Sequence, residues 1–150
     1  MSYMHTKFNP KKHSKFVPKN TKKYVGKYYP ICRSGLEKAF CETLDSDPKV
    51  VEWSSESFYI NYMFQGKMHR YFPDFYAKVR LPTGAEDIWV VEIKHSSESK
   101  PPTKGKKSRK TILNEKHKWE KNVAKWQAAK RFCNKMGYTW KVITEKQLFK

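Results

Sequence analysis

Four side chains in this sequence carry the ingredients of cation-assisted hydrolysis: Glu37, Asp74, Glu92 and Lys94. Asp74 follows a proline just ahead of an alternating segment, and Glu92 and Lys94 close the apolar run that begins at Ile88. On a strand, residues i and i+2 share a side, so Glu92 and Lys94 emerge together while Ile93 faces the opposite layer. If segments 75–81 and 88–93 pair antiparallel through the turn at Pro82, Thr83 and Gly84, Asp74 comes to lie beside Glu92. Two carboxylates held close repel each other unless one is protonated or a cation lies between them. One or two carboxylates with open water positions suit Mg²⁺, with Mn²⁺ expected to substitute. Lys94 beside such an ion would orient or polarise a water, or neutralise charge on a phosphate, in an in-line hydrolysis. The constellation is that of a phosphodiesterase.

The positioning elements follow from periodicity. Leu36, Phe40 and Leu44 recur at four-residue spacing and predict a helix over 34–44, ended by Asp45 to Pro48. Ser34 and Glu37 open it as a capping box, which is a sufficient reason for Glu37 by itself and leaves a metal role as the alternative. A β-rich stretch follows, with strands at 50–53, 57–64 and 67–72, the last two joined by a Gln65-Gly66 turn. Segment 75–81 alternates Phe75, Ala77, Val79 and Leu81 against Tyr76, Lys78 and Arg80, as a half-buried strand does. Segment 88–93 is almost continuously apolar and fits a central strand, so its carboxylate needs a reason. A mobile basic loop is expected over 96–110, then a helix over 113–136 with an apolar stripe of Trp119, Val123, Trp126, Ala129 or Lys130, and Cys133, capped by Gly137. A strand at 140–143 and a short helix capped by Thr144, containing Leu148 and Phe149, complete an α/β (α+β) fold: a central mixed sheet flanked by helices.

Composition narrows the partner. The 150 residues fit a single domain, and a net charge of +18 favours a polyanion, nucleic acid first. Residues 1–30 hold eight lysines and no acid, 31–93 seven basic and ten acidic groups, and 94–135 fourteen basic and three acidic. The near-neutral centre thus lies between basic flanks. A basic N-terminal arm is expected over 1–23 and the folded domain over 24–150. In the arm, Lys11, Lys12, Lys15, Lys19, Lys22 and Lys23 would neutralise DNA phosphates while Phe8, Phe16 and Tyr24 stack, with Tyr28 and Tyr29 doing the same or packing on the core. Further phosphate contacts are expected from Arg33, Arg70, Lys104, Lys106, Lys107, Arg109 and Lys110, and from Lys118, Lys121 and Lys125 on the exposed side of the long helix, a face that could equally be merely solvated. Ser34, Gln127 and Lys130 are candidates to support the acids, with packing as the alternative for the last two. Cys32, Cys41 and Cys133 lack CxxC spacing, so buried thiols are expected rather than disulfides or zinc. His69, His95 and His117 fit no zinc spacing either. No long apolar run, signal-peptide core or lipidation motif indicates a membrane, and a soluble intracellular protein is expected.

Pro73-Asp74, seventeen intervening residues, then Glu92-Ile93-Lys94 on an apolar strand resembles the PD-(D/E)xK nuclease signature. The segment from Arg33 to Glu37 resembles the first-helix motif of phage Holliday-junction resolving endonucleases and of Tn7-type transposon end-cleaving endonucleases. The run from His69 to Phe75, with Glu92 to Lys94 and the later Trp126 to Ala129, is similar to the head completion nucleases of T-even-like phages over roughly residues 24–150. The resemblance implies a restriction-endonuclease-like core. It also implies metal binding by Glu37, Asp74 and Glu92, and action on the water by Lys94. It further implies a DNA endonuclease of phage head completion, working in the host cytoplasm or carried in the virion, with capsid, portal or neck proteins as partners. A non-catalytic basic DNA-binding protein at the head-tail junction and a Holliday-junction-type resolvase stay open beside it.

Overall fold

The computed structural model describes residues 13–148. Lys11, Lys12, Phe8 and Phe149, named above, lie outside them. A short strand β1 (Ser14–Lys15) pairs antiparallel with β2 (Ile31–Cys32). Helix α1 (Gly35–Ser46) follows, its Ser34 cap accepting a hydrogen bond from the Glu37 amide. The Glu37 carboxylate reaches back to the Arg33 amide rather than to that of Ser34.

Strands β3 (Val50–Ser55), β6 (Phe75–Arg80), β7 (Glu86–Ile93) and β8 (Thr139–Ile143) form one sheet in the order β3-β6-β7-β8. The first two pairings are antiparallel and β7–β8 is parallel, so the sheet is mixed. Parallel neighbours require a crossover, which helix α2 (Arg109–Met136) supplies. Strands β4 (Ile60–Phe64) and β5 (Lys67–Tyr71) make a separate hairpin. Its Gln65 and Gly66 have φ of 50° and 75°, as a two-residue turn matching strand twist demands. A single 3-10 turn (Ser96–Glu98) and a four-residue helix α3 (Glu145–Leu148) complete the order.

Two apolar layers cover the sheet. On one side Phe40, Cys41 and Leu44 of α1 pack with Trp53, Phe75, Ala77, Val79, Val91 and Ile93. On the other, Ala128 and Ala129 of α2 pack with Ile60, Tyr62 and Tyr71 of the hairpin, with Trp140 of β8 against them. Alternation along β7 therefore sends Ile93 toward α1 and Glu92 toward the α2 side. Leu81, expected on the buried face of β6, is 36% exposed because the strand ends one residue earlier at the turn. The long helix begins four residues before its expected start, with Ser108 capping Thr111, so the last two residues of the expected basic loop are helical. Gly137, at φ 75°, is its left-handed C-cap.

The described residues of the expected 1–23 arm make contacts with the domain. Phe16 N donates to Pro30 O, and the Lys19 and Asn20 amides donate to the buried Asp45 carboxylate. The Lys23 ammonium donates to the Asp45 and Asp47 carbonyls, so it serves the C-terminal end of α1 instead of a phosphate. A carboxylate with no water needs donors, and this segment provides them. The three cysteines are free buried thiols, with Cys32 and Cys41 sulfurs 3.6 Å apart. Among the described residues no helix is long and apolar enough to cross a membrane.

Candidate active site

The β6–β7 register, with Phe75 opposite Val91, extends by one residue to place Asp74 opposite Glu92. Asp74 Oδ2 accepts from the Ile93 amide at 2.7 Å, which fixes the carboxyl at the strand end. Burial, then the Glu92 and Glu37 charges, push the Asp74 carboxyl well above the usual carboxylate range. Burial also raises Glu92, against the Tyr71 hydroxyl, Lys94 and Lys125, which favour its anion. The paired acids are thus held where a second negative charge is unfavourable.

Lys94, two residues beyond Glu92, holds its ammonium 3.9 Å from Glu92 Oε2. Its own amide donates to Ile143 O, so the parallel β7–β8 pairing carries the position of the lysine. Glu37 stands at the first turn of α1, half-buried, its carboxyl raised by burial first and held down by the Arg33 amide and guanidinium. One Glu37 oxygen is engaged by the Arg33 amide at 3.2 Å and the other lies 3.5 Å from Ser34 Oγ. Among the described residues no group of three or more His, Cys, Asp and Glu side chains is arranged to enclose a metal ion. Of the three expected acids, Asp74 and Glu92 stand opposite each other, and Glu37, whose charge bears on Asp74, also engages the Arg33 amide. Two carboxyls whose anions are mutually unfavourable still match the one or two that a magnesium ion takes.

Three groups around this pair were assigned otherwise or not singled out by sequence reasoning. The Tyr71 hydroxyl donates to Glu92 Oε1, and burial followed by the Glu92 and Asp74 charges raises its own pKa far above the usual value. Lys125, expected on the exposed side of α2, is half-buried near Glu92, its ammonium 5.7 Å over the Tyr71 ring; burial lowers its pKa while Glu92 opposes. Gln127 and Lys130, the expected supports on that helix, are exposed. The difference is angular: positions 121 and 125 lie one turn apart and 128 packs on the hairpin, which rolls 127 and 130 outward. Glu56, third, binds the Arg33 guanidinium, and its amide donates to Asp74 O at 3.1 Å. Its φ of 46° is a strained value for a residue with a side chain, costing about 1 kcal/mol, and such strain concentrates at functional sites. Tyr71 and Glu56 had no sequence signal beyond their place on a strand or turn.

The expected phosphate contacts divide into two sets. A cleft of about 830 Å³ opens beside Lys94 and Lys125 and is lined also by Lys100, Lys107, Lys118 and Lys121. Lys107 is paired there with Glu115. Lys104, Lys106, Arg109 and Lys110 are exposed on the same loop and helix start, and Arg70 is exposed on β5. By contrast Lys19 and Lys23 sit at the C-terminal end of α1, eight helical positions and ~12 Å of rise from Glu37. Lys15 lies over the Tyr29 ring, and Lys22 is exposed on that same segment. Arg33 is committed to Glu56.

The model of the TnsA-like endonuclease N-terminal family matches residues 47–145, a span with Asp74, Glu92, Lys94 and Lys125 but without α1 and Glu37. The head completion nuclease of Enterobacteria phage T4 is 38% identical over 119 residues, covering 75% of this chain and 77% of that protein. With the mixed sheet and the Pro73-Asp74 and Glu92-Ile93-Lys94 elements at adjoining strand ends, the chain belongs to the TnsA-like endonuclease N-terminal family and is an endonuclease of the PD-(D/E)xK class.

Proposed function

We propose that this endonuclease hydrolyses DNA phosphodiester bonds with Mg²⁺ and acts in completing phage heads. The observation that carries the hydrolytic part is the apposition of Asp74 and Glu92 across β6 and β7, with Lys94 at the next outward position of the same strand. Mg²⁺ bound by Asp74 and Glu92 would supply Lewis-acid chemistry and a phosphate-binding positive charge, with Mn²⁺ able to replace it. Tyr71 holds one Glu92 oxygen and leaves the other toward Lys94. Lys94 positions a water or neutralises charge gathering on the phosphate. Lys125 adds positive charge from the α2 side, and Glu37, whose charge bears on Asp74, would be the third acid holding the ion.

DNA as substrate is supported by the cleft of lysines that adjoins Lys94, because it places phosphate-neutralising charge next to the acids. The head-completion role is supported by the similarity to the phage T4 protein of that name; capsid, portal or neck proteins would then be its partners, met in the host cytoplasm. Purified protein is incubated with plasmid and with branched DNA in Mg²⁺, in Mn²⁺ and in EDTA, beside the Asp74→Ala variant. Nicking or linearisation in either ion, absent in EDTA and in the variant, is expected. Undiminished cleavage by Asp74→Ala removes the assignment.

A further inference from the structure

A second concavity, of about 420 Å³, adjoins Glu56. Its lining is aromatic: Tyr59 and Phe72 have ring centroids 5.7 Å apart, and Tyr28 and Phe58 contribute the remaining rings. Tyr59 and Tyr28 are each 43% exposed. Both carry a cation, with the Arg70 guanidinium 4.7 Å from the Tyr59 centroid and the Lys27 ammonium 5.5 Å from that of Tyr28. Part-exposed rings with cations held over them are the composition of a site that stacks bases while neutralising the adjoining phosphates. The volume falls within the range of small-ligand sites.

Its place in the chain relates it to the acid pair. Phe72 precedes Asp74 by two residues, ~7 Å of extended backbone, which is about two stacked nucleotides at 3.4 Å each. Ser55 and Glu56 line the cavity too, and the Glu56 amide donates to Asp74 O. A base paired inside a duplex cannot present its faces to such rings, whereas an unpaired one can.

We propose that this cavity receives an unpaired nucleobase next to the scissile phosphate, so that the preferred substrate is DNA with single-stranded nucleotides at the cut, such as a fork or flap. The inference rests on the DNA-cleaving reading above and names its substrate class. Stacking makes the site tolerant of base identity, since every base has two flat faces.

The test uses the full chain with a forked duplex carrying 2-aminopurine at the first unpaired position, and a blunt duplex of equal length, in Ca²⁺ so that binding is read without turnover. The expected result is quenching of the 2-aminopurine emission by the parent protein. Tyr59→Ala should abolish it and weaken fork binding ~10-fold, leaving blunt-duplex binding within about twofold, while Tyr59→Phe behaves as the parent. Tyr59 is part-exposed, so its truncation leaves the core in place, and the parent quenching measurement needs no variant. Absence of quenching, or equal weakening of fork and blunt binding by Tyr59→Ala, overturns the proposal. Failure of the nuclease reading shows separately, as cleavage that survives Asp74→Ala.

Discussion

Asp74 is the residue at which stability and the proposed catalysis pull in opposite directions. Its carboxyl is raised in the folded chain by burial and by Glu92 and Glu37, so the native state keeps a proton that the unfolded state releases. Stability attributable to this group is therefore full below the unfolded value of ~3.9 and declines as pH rises toward the higher native value. In EDTA at neutral pH, Asp74→Asn is expected to melt above the parent, by ~2–4 °C for each kcal/mol in a chain of this size, with the gap closing in acid; Mg²⁺ should stabilise the parent alone. Calorimetry across pH, with and without the ion, checks both signs. For Lys94→Ala, cleavage should fall about 100-fold or more while duplex affinity in Ca²⁺ stays nearly level, which gel shift and plasmid nicking separate. The acids and Lys94 were legible in the sequence because a charge inside an apolar strand has no packing reason, and strand alternation fixes which neighbour shares its side. Tyr71 was not, because a hydroxyl on a hairpin strand reads the same whether it meets water or Glu92.

At the scale of elements, hairpin β6–β7 sets the acid pair, and its turn was readable from Pro82, Thr83 and Gly84, where the Gly84 amide donates to Leu81 O. The roll of α2 was less readable, since Trp119, Val123 and Trp126 define a broad stripe whose edges are decided by packing against the β4–β5 hairpin and Trp140 of β8. That roll turns Lys121 and Lys125 toward the cleft with Lys118 beyond them. Replacing Lys100, Lys118 and Lys121 with alanine should lower the slope of log affinity against log salt by ~2–3, because each lost phosphate contact removes about 0.9, and should leave cleavage per bound complex unchanged. A salt titration by fluorescence anisotropy decides this. An unchanged slope would mean that the cleft does not hold the backbone.

Over the whole molecule, the charge pattern marks the basic flanks, and the described part of the first makes contacts that charge does not reveal. Lysine-rich sequence without apolar periodicity predicts a solvated arm, yet Phe16 sits against Trp53 and the Lys19 and Asn20 amides satisfy Asp45. Those contacts pair one aromatic and two backbone donors with partners more than twenty residues away, which no local pattern reveals. Deleting residues 1–23 is accordingly expected to destabilise the domain by about 3 kcal/mol or more, through loss of the Phe16 contact and of the donors to Asp45, and Asp45→Asn in the full chain should reproduce part of the loss. Urea unfolding of the three proteins checks it. The crossover from β7 to β8 has a separate outcome. The basic stretch after Lys94 that leads into α2 is held near its start by Ser96 on Glu145 and near its end by Lys107 on Glu115, so related chains can lengthen, shorten or exchange the part between without disturbing the hairpin that juxtaposes the acids. How tightly the polymer is grasped and how its bond is broken can thus diverge independently in descendants of this scaffold.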